Sequence, residues 1–547
     1  MTGYVRILLP LLAALLALPL VAYPGDDAVS GETPPPSALF DTSHQCMACH
    51  NGLVNSVGRD ISIATDWRPT MMANSSRDPY WQATVRRESL DHPAAVEIIE
   101  DECSICHMPM ARYTAHWRGE KGHIFVNFPG AVEQTEMSTL SADGVSCTMC
   151  HQIGPENLGQ RESFVGRFKV DENRAWGERH ILGPFDVDAG RTRIMSSSSL
   201  FEPHMADHIR DSGLCGSCHT LYTHALGPDG EVIGELAEQM PYLEWLHSRY
   251  PQERSCQSCH MHEAAGLVHI SSVWGQPREG FMQHVFKGGN FLVPLLLNKH
   301  RDTLAVAAKP NELQAMSDRT TAHLQEKAAV VNVSGARIED GHLEFSVMVG
   351  NLAGHKLPSA YPSRRAWLHV QVRDEQGKLL FESGRLRPDG SIEGNDNDAD
   401  AALFEPHYTV VDAPDEVQIY EPILGGPDDK VTTGLLAATH YLKDNRLLPE
   451  GFDKATAGKD IAVAGGAKED ADFTGGGDTI VYKIALGKAG GQLTIEARLY
   501  YQPIGFRWAQ NLKPYDAHEP RRFVGYYEEA APASAVVLAS GLALTVP

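Results

Sequence analysis

Apolar and polar residues alternate with a period of two in three stretches late in the chain: Leu343, Phe345, Val347 and Val349; Leu368, Val370 and Val372; and Leu493, Ile495, Ala497 and Leu499. This is the pattern of half-buried β-strands, whose successive side chains point to opposite faces. Turn-forming pairs separate them, at Asp340-Gly341, Glu375-Gln-Gly377 and Asp389-Gly390, and the apolar stretch from Ala535 to Val546 reads as a last strand. Residues 328–547 are therefore expected to form an antiparallel β-sandwich-like domain, with a long Gly- and Asp-rich irregular insertion at about 425–477.

The chain before residue 328 has a different texture. Sustained helical periodicity is rare, and the pattern predicts short helices over Asp78–Glu88, Pro93–Cys106, Pro203–Cys215 and Met240–Tyr250. The apolar run Phe291–Leu297 enters a helix continuing toward His300, and Pro310-Asn-Glu-Leu starts one that runs to Lys327. The expected fold class is α+β and multidomain: a mainly α and irregular domain over 43–327, then the sandwich. A length of 547 residues allows three or four domains, but every cysteine lies before residue 261, which argues for two.

At the N-terminus, Arg6 precedes an apolar run from Ile7 to Ala22, after which the chain turns polar. Residues 1–22 read as a secretory signal peptide, with Pro10 and Pro19 breaking the run against a membrane-spanning helix. Residues 23–42, rich in Pro, Gly and Asp up to Ser37, read as a flexible lead-in. No cysteine follows the apolar run before Cys46, so there is no lipid attachment point. The expected location is the periplasm or cell exterior of a bacterium, with no membrane span in the mature chain.

All ten cysteines fall into five CxxCH units: Cys46/Cys49/His50, Cys103/Cys106/His107, Cys147/Cys150/His151, Cys215/Cys218/His219 and Cys256/Cys259/His260. CxxCH is the attachment pattern of c-type haem. Two thiols about one helical turn apart add to the two vinyl groups, and the next residue sets an imidazole beneath the iron. Structural zinc gives no reason for a histidine after every second cysteine. A disulfide scaffold would not confine every cysteine to this unit, and a redox CxxC would explain one copy. Five covalently bound haems are expected, held by those cysteines, with the five motif histidines as proximal ligands.

The net charge of −23 disfavours nucleic acid and anionic membranes as partners and suits a basic redox protein or an extracellular electron acceptor. Ser/His/Asp hydrolase signatures, phosphate-binding glycine loops and basic nucleic-acid patches are absent.

Beyond the five motifs, GVSCTMCHQI at Gly144–Ile153, LCGSCHTLYT at Leu214–Thr223 and HVFKGGN at His284–Asn290 carry a family likeness. This half resembles the multihaem cytochrome c superfamily, particularly the branch containing the tetrahaem electron acceptor of hydroxylamine oxidoreductase. GHKLPSAYPSRR from Gly354 and YLKDNRLLPEGFDK from Tyr441 resemble C-terminal regions of bacterial multihaem cytochromes with no assigned activity. Five motifs rather than four mean that the branch's ligand assignments do not transfer one by one.

The sixth ligand decides whether each iron relays electrons or binds substrate. Candidate distal ligands are His284, before a Gly-Gly turn that lets backbone approach a haem face; His116, on a segment able to cross to a neighbour; and His204 or His208, spaced to share one helical face. Met72, with Met71, lies where the resemblance implies an axial histidine, and a thioether there would raise that potential. His355 is placed to cap a haem from the β-domain. His224, His180 and His262 are weaker candidates. Asp396, Asp398 and Asp400 have the alternating spacing of a calcium loop but lack its downstream glutamate, which favours a solvated acidic loop.

These residues point to an exported electron-transfer protein without substrate chemistry. The alternatives are an oxidoreductase acting on a small nitrogen or sulfur compound at one five-coordinate haem, or a haem-lined structural assembly at the cell surface. Nitrite reductases of this general type often carry a lysine-ending CxxCK unit, whereas all five motifs here end in histidine.

Overall fold

A computed structural model describes residues 38–130, 133–487 and 491–545. The signal-peptide residues and the lead-in up to residue 37 lie outside these. The end of the lead-in is packed: Ala38, Leu39 and Phe40 are buried, with Leu39 and Phe40 in a small core beside Met110, Met149 and Phe168. Among the described residues no helix is long and apolar enough to cross a membrane.

The molecule is α+β. In the motif-bearing half, α1 (Pro79–Asp91) starts where Asp78 accepts the Tyr80 and Trp81 amides and Pro79 fills the first turn, a strong N-cap. α2 (Val96–His107) ends on the second CxxCH unit, which Pro109 closes off. Two parallel strands, β1 (Arg179–Gly183) and β2 (Phe201–Met205), and an antiparallel hairpin, β3 (Leu221–Leu226) with β4 (Val232–Gln239), follow. α3 (Pro241–Leu246), α4 (Leu292–Lys299) and α5 (Pro310–Lys327) complete this half, and Leu313, Met316, Thr320 and Leu324 form the buried stripe of α5.

The helix expected over Pro203–Cys215 is not formed. Leu200, at φ 62°, ends the preceding helix in the left-handed region, and Phe201–Met205 pairs with β1. A single 3₁₀ turn at Asp207–Arg210 and a five-residue helix at Ser212–Gly216 follow. The helix expected over Met240–Tyr250 is shorter, ending at Leu246.

The later half supplies β5 (Ala329–Glu339), β6 (His342–Asn351), β7 (Arg365–Arg373), β8 (Leu379–Ser383), β9 (Val410–Val411) and β10 (Ile419–Tyr420). The small strands β11 (Pro422–Gly425), β12 (Val431–Thr432) and β13 (His440–Asp444) make a three-stranded sheet of their own. The last strands are β14 (Gly477–Ala485), β15 (Thr494–Gln502) and β16 (Val536–Leu544). Two layers result: one runs β9-β14-β6-β5 and the other β8-β7-β15-β16, with β10 pairing with β7. Phe345, Val347, Leu368, Val370, Ile480, Tyr482, Ile495 and Leu499 from both layers share one core, as in a sandwich. The stretch read as an irregular insertion contains two strands of that sheet, β12 and β13, which pair with β11 at its start.

That core also takes in Tyr80, Phe164, Tyr242 and Phe291 from the motif-bearing half. α6 (His518–Ala530) lies along α1, where Arg86 meets Glu519 at 3.0 Å and the Tyr80 and Phe523 rings are 4.9 Å apart. The sandwich is therefore packed against the elements that carry the motifs.

Candidate functional site

One cavity of about 2100 Å³ runs through the motif-bearing half, lined by nine of the ten cysteines and all five motif histidines. An ordinary small-molecule pocket is roughly 300–1,000 Å³. The exception is Cys49. Its neighbours Cys46, Met47 and His50 line the cavity, but Cys49 itself is half-buried and lies off it. The short helix Ser43–Met47 ends before Cys49, whose carbonyl accepts the Ser272 amide at 2.8 Å and the Ser272 hydroxyl at 3.0 Å.

The other motifs lie close together. The Cys46 and Cys147 thiols are close neighbours that shift each other's ionisation, as are Cys215 and Cys256. Cys218 is the charge neighbour of both Cys106 and Cys150. In space the first motif adjoins the third and the fourth adjoins the fifth, while the second and third both meet the fourth.

Four motif histidines share one local arrangement. Nδ1–H of His50 donates to the Ile270 carbonyl at 2.6 Å, His107 to Ser75 at 2.9 Å, His151 to Leu182 at 2.6 Å, and His260 to Lys287. An imidazole held by its Nδ1–H presents the lone pair of Nε2, as metal-ligating histidines do. Burial keeps these rings neutral: it pushes His107 and His260 down to about 4.

Second imidazoles face two of them. The His151 and His284 centroids are 6.3 Å apart with planes 23° from parallel, and those of His260 and His355 are 6.3 Å apart at 13°. Two imidazoles bound to opposite sides of one metal, at about 2 Å each and about 1.1 Å from nitrogen to ring centre, have centroids about 6 Å apart. His284 donates Nδ1–H to the Met282 carbonyl at 3.1 Å and His355 to that of Lys356 at 2.9 Å, so both face inward by Nε2. Burial depresses His284 to about 3. This donor set fits covalently attached haem, whose iron the facing nitrogens of each pair would hold.

The remaining candidates divide. Met72, His204, His224 and His262 line the cavity. Nε2 of His204 is buried without a hydrogen-bond partner, and its ring lies 3.5 Å from that of His180. His204 and His208 do not share a helical face, because one is on β2 and the other in the 3₁₀ turn; His208 donates Nε2–H to the Ile153 carbonyl at 2.8 Å and lies off the cavity. His116 crosses to no neighbour: its half-exposed ring binds Asp101 at 2.7 Å, outside the cavity. The calcium-loop alternative fails on geometry, since Arg365 binds both oxygens of buried Asp398, at 2.8 and 2.9 Å, and the Ile392 amide takes a further bond.

Sequence reasoning missed His323 on α5, which lines the cavity with its centroid also 6.3 Å from that of His260, at 60°. Its helical period marked it only as part of α5. It also missed Trp81, stacked on His107 at 4.1 Å with planes 3° apart. The carbonyl acceptors for the motif histidines leave no trace in sequence, because any residue type supplies one.

No protein-family model and no curated protein matches this chain. Among solved structures it is similar to a penta-heme cytochrome c552 from Thermochromatium tepidum, at 14% identity and a TM-score of 0.51, over 93% of this chain and 100% of that one. At that identity the likeness is one of fold, and it spans the sandwich as well as the motif-bearing half.

Proposed function

We propose that this protein is an exported pentahaem c-type cytochrome that relays electrons between redox partners. The observation carrying this reading is the pair of facing imidazoles at His151/His284 and His260/His355, each 6.3 Å apart across a cavity lined by CxxCH units. Two imidazoles close both axial positions of an iron, which suits electron transfer and leaves no room for substrate. Haem supplies the one-electron couple; the chain fixes the ligands, buries them and sets their hydrogen bonds. At the first motif Cys46 and His50 already line the cavity, and rotation about the Cα–Cβ bond of Cys49 would offer the second thiol. The cysteine contacts set attachment points side by side, which supports transfer through a chain of groups that branches at the fourth motif. The apolar run at residues 7–22 supports export. The penta-heme description of the structural neighbour agrees with five groups.

A second reading, catalysis at the second motif, is favoured by one feature. His107 shares with His50 and His219 the lack of a comparable imidazole pair among the described residues, but beside the second motif Glu88 and Glu238 stand near Cys103. Burial raises Glu238 to about 6, a useful value for a proton donor. Electron paramagnetic resonance during a redox titration separates the readings. Low-spin signals for all irons support the relay; a high-spin centre perturbed by nitrite or hydroxylamine supports catalysis.

A further inference from the structure

Four buried charges meet behind the loop that carries His355. Glu244, on α3, accepts the Lys356 amide at 3.2 Å and the Ser359 hydroxyl at 2.6 Å, and its other oxygen lies 3.1 Å from Arg446. Arg446 binds Asp444 through two nitrogens at 2.8 and 2.7 Å, and Lys356 Nζ reaches the same carboxylate at 2.6 Å. Two anions balance two cations, and no side chain in the set is more than 5% exposed.

Taking such groups out of water is costly, and apolar residues of similar volume often stabilise a fold as well. What an apolar contact lacks is direction. Three polar contacts converge on one carboxylate and fix the chain at 356 and 359, on the C-terminal side of the ring they orient. His355 is bonded within this clamp, to the Lys356 carbonyl. On the other side Gly354 is pressed to α3, where a Cβ would come within 3.3 Å of Trp245.

We infer that Glu244 is a positioning residue for the fifth motif's iron: a carboxylate from the motif-bearing half that holds the 355–359 loop so that Nε2 of His355 faces His260. This rests on the reading of His260 and His355 as one axial pair. Glu244 itself touches neither ring; it acts through Lys356 and Ser359.

The test uses the mature holoprotein, with spin state read by electron paramagnetic resonance and visible absorption. Glu244→Ala should convert one haem of five to high spin, and added imidazole should return it to low spin. Glu244→Gln, which keeps an acceptor oxygen, should stay low-spin. His355→Ala should give the same one-fifth, and the double variant one-fifth rather than two. If His355→Ala yields a high-spin haem but Glu244→Ala does not, the positioning role is overturned and the axial pair stands. If His355→Ala leaves every haem low-spin, the axial pair fails and the inference with it. Should Glu244→Ala not accumulate as folded holoprotein, Ser359→Ala removes one of the three contacts; a high-spin fraction that grows on warming supports the role, and an unchanged fraction overturns it.

Discussion

His260 and His355 face each other across 6.3 Å, although the first closes the last CxxCH unit and the second follows a strand of the sandwich. The sandwich is tied by this contact to the site chemistry: its loop supplies the ring nearly parallel to His260, at 13°, whereas His323 of the motif-bearing half lies at the same distance but is tilted by 60°.

Removing either facing imidazole opens one axial position. His284→Ala and His355→Ala are each expected to turn one-fifth of the haem iron high-spin and together two-fifths, whereas His116→Ala and His208→Ala, whose rings are engaged outside the cavity, leave the spectrum unchanged. Low-temperature electron paramagnetic resonance of the four single variants and the His284/His355 double variant reads this directly.

Gly144 sits at φ 63°, and a Cβ there would come within 2.5 Å of the Met72 carbonyl and 2.9 Å of that of Ala73. Both obstacles are backbone and cannot swing aside. Gly144→Ala is expected to cost at least about 1–2 kcal/mol from the left-handed conformation alone, with the clash added, and to displace the Met71–Met72 segment from the third motif. Chemical denaturation and the Soret region of the visible spectrum check both effects.

Arg365 and Asp398 form a buried bidentate pair at 2.8 and 2.9 Å. Arg365→Leu leaves Asp398 charged and unpaired, and a loss of about 3–5 kcal/mol is expected. Calcium or a chelator should leave the parent protein's melting temperature unchanged, because the arginine already occupies the carboxylate. Thermal denaturation with and without calcium measures both.

Asp478 is buried at the start of β14, accepts the Tyr420 hydroxyl at 2.8 Å, and lies near Asp470 and Asp472. Burial, then those two charges, raise it from 3.8 to about 7. The folded protein therefore holds a proton that the unfolded chain releases, so its contribution is full below about pH 3.8, declines as pH rises and is gone above about 7. Asp478→Asn removes this slope: relative to the parent protein, the variant should gain on the order of 1–3 kcal/mol between pH 5 and pH 8. Urea unfolding at the two pH values gives the difference.

The legible parts of the fold are those set by local pattern. The alternation through Leu343–Val349 and Leu493–Leu499 forms β6 and β15, and Pro310 and Glu312 mark the start of α5. The stretch Pro203–Cys215 misleads because its partner is β1, earlier in the chain beyond a helix, and parallel pairing overrides a local helical spacing. The strand Gly477–Ala485 escapes the pattern although Ile480, Tyr482 and Ile484 alternate, since the glycines before it read as loop. In the site, His284, four residues before Gly288-Gly289, and His355, directly after Gly354, carry a local mark in the sequence. The spacing of the first motif says nothing of Ser272, the distant residue that binds the Cys49 carbonyl. His323 offers no local mark, and the Glu244–Arg446–Asp444–Lys356 cluster joins charges from three segments that only the folded chain brings together.

The central claim is that all five CxxCH units carry covalent haem, and intact-mass measurement of the mature, denatured protein tests it most directly. The account predicts a chain heavier by five haems, with a pyridine haemochrome spectrum of the c type. A chain carrying none, with its cysteines recovered as disulfides or bound to zinc, would contradict it.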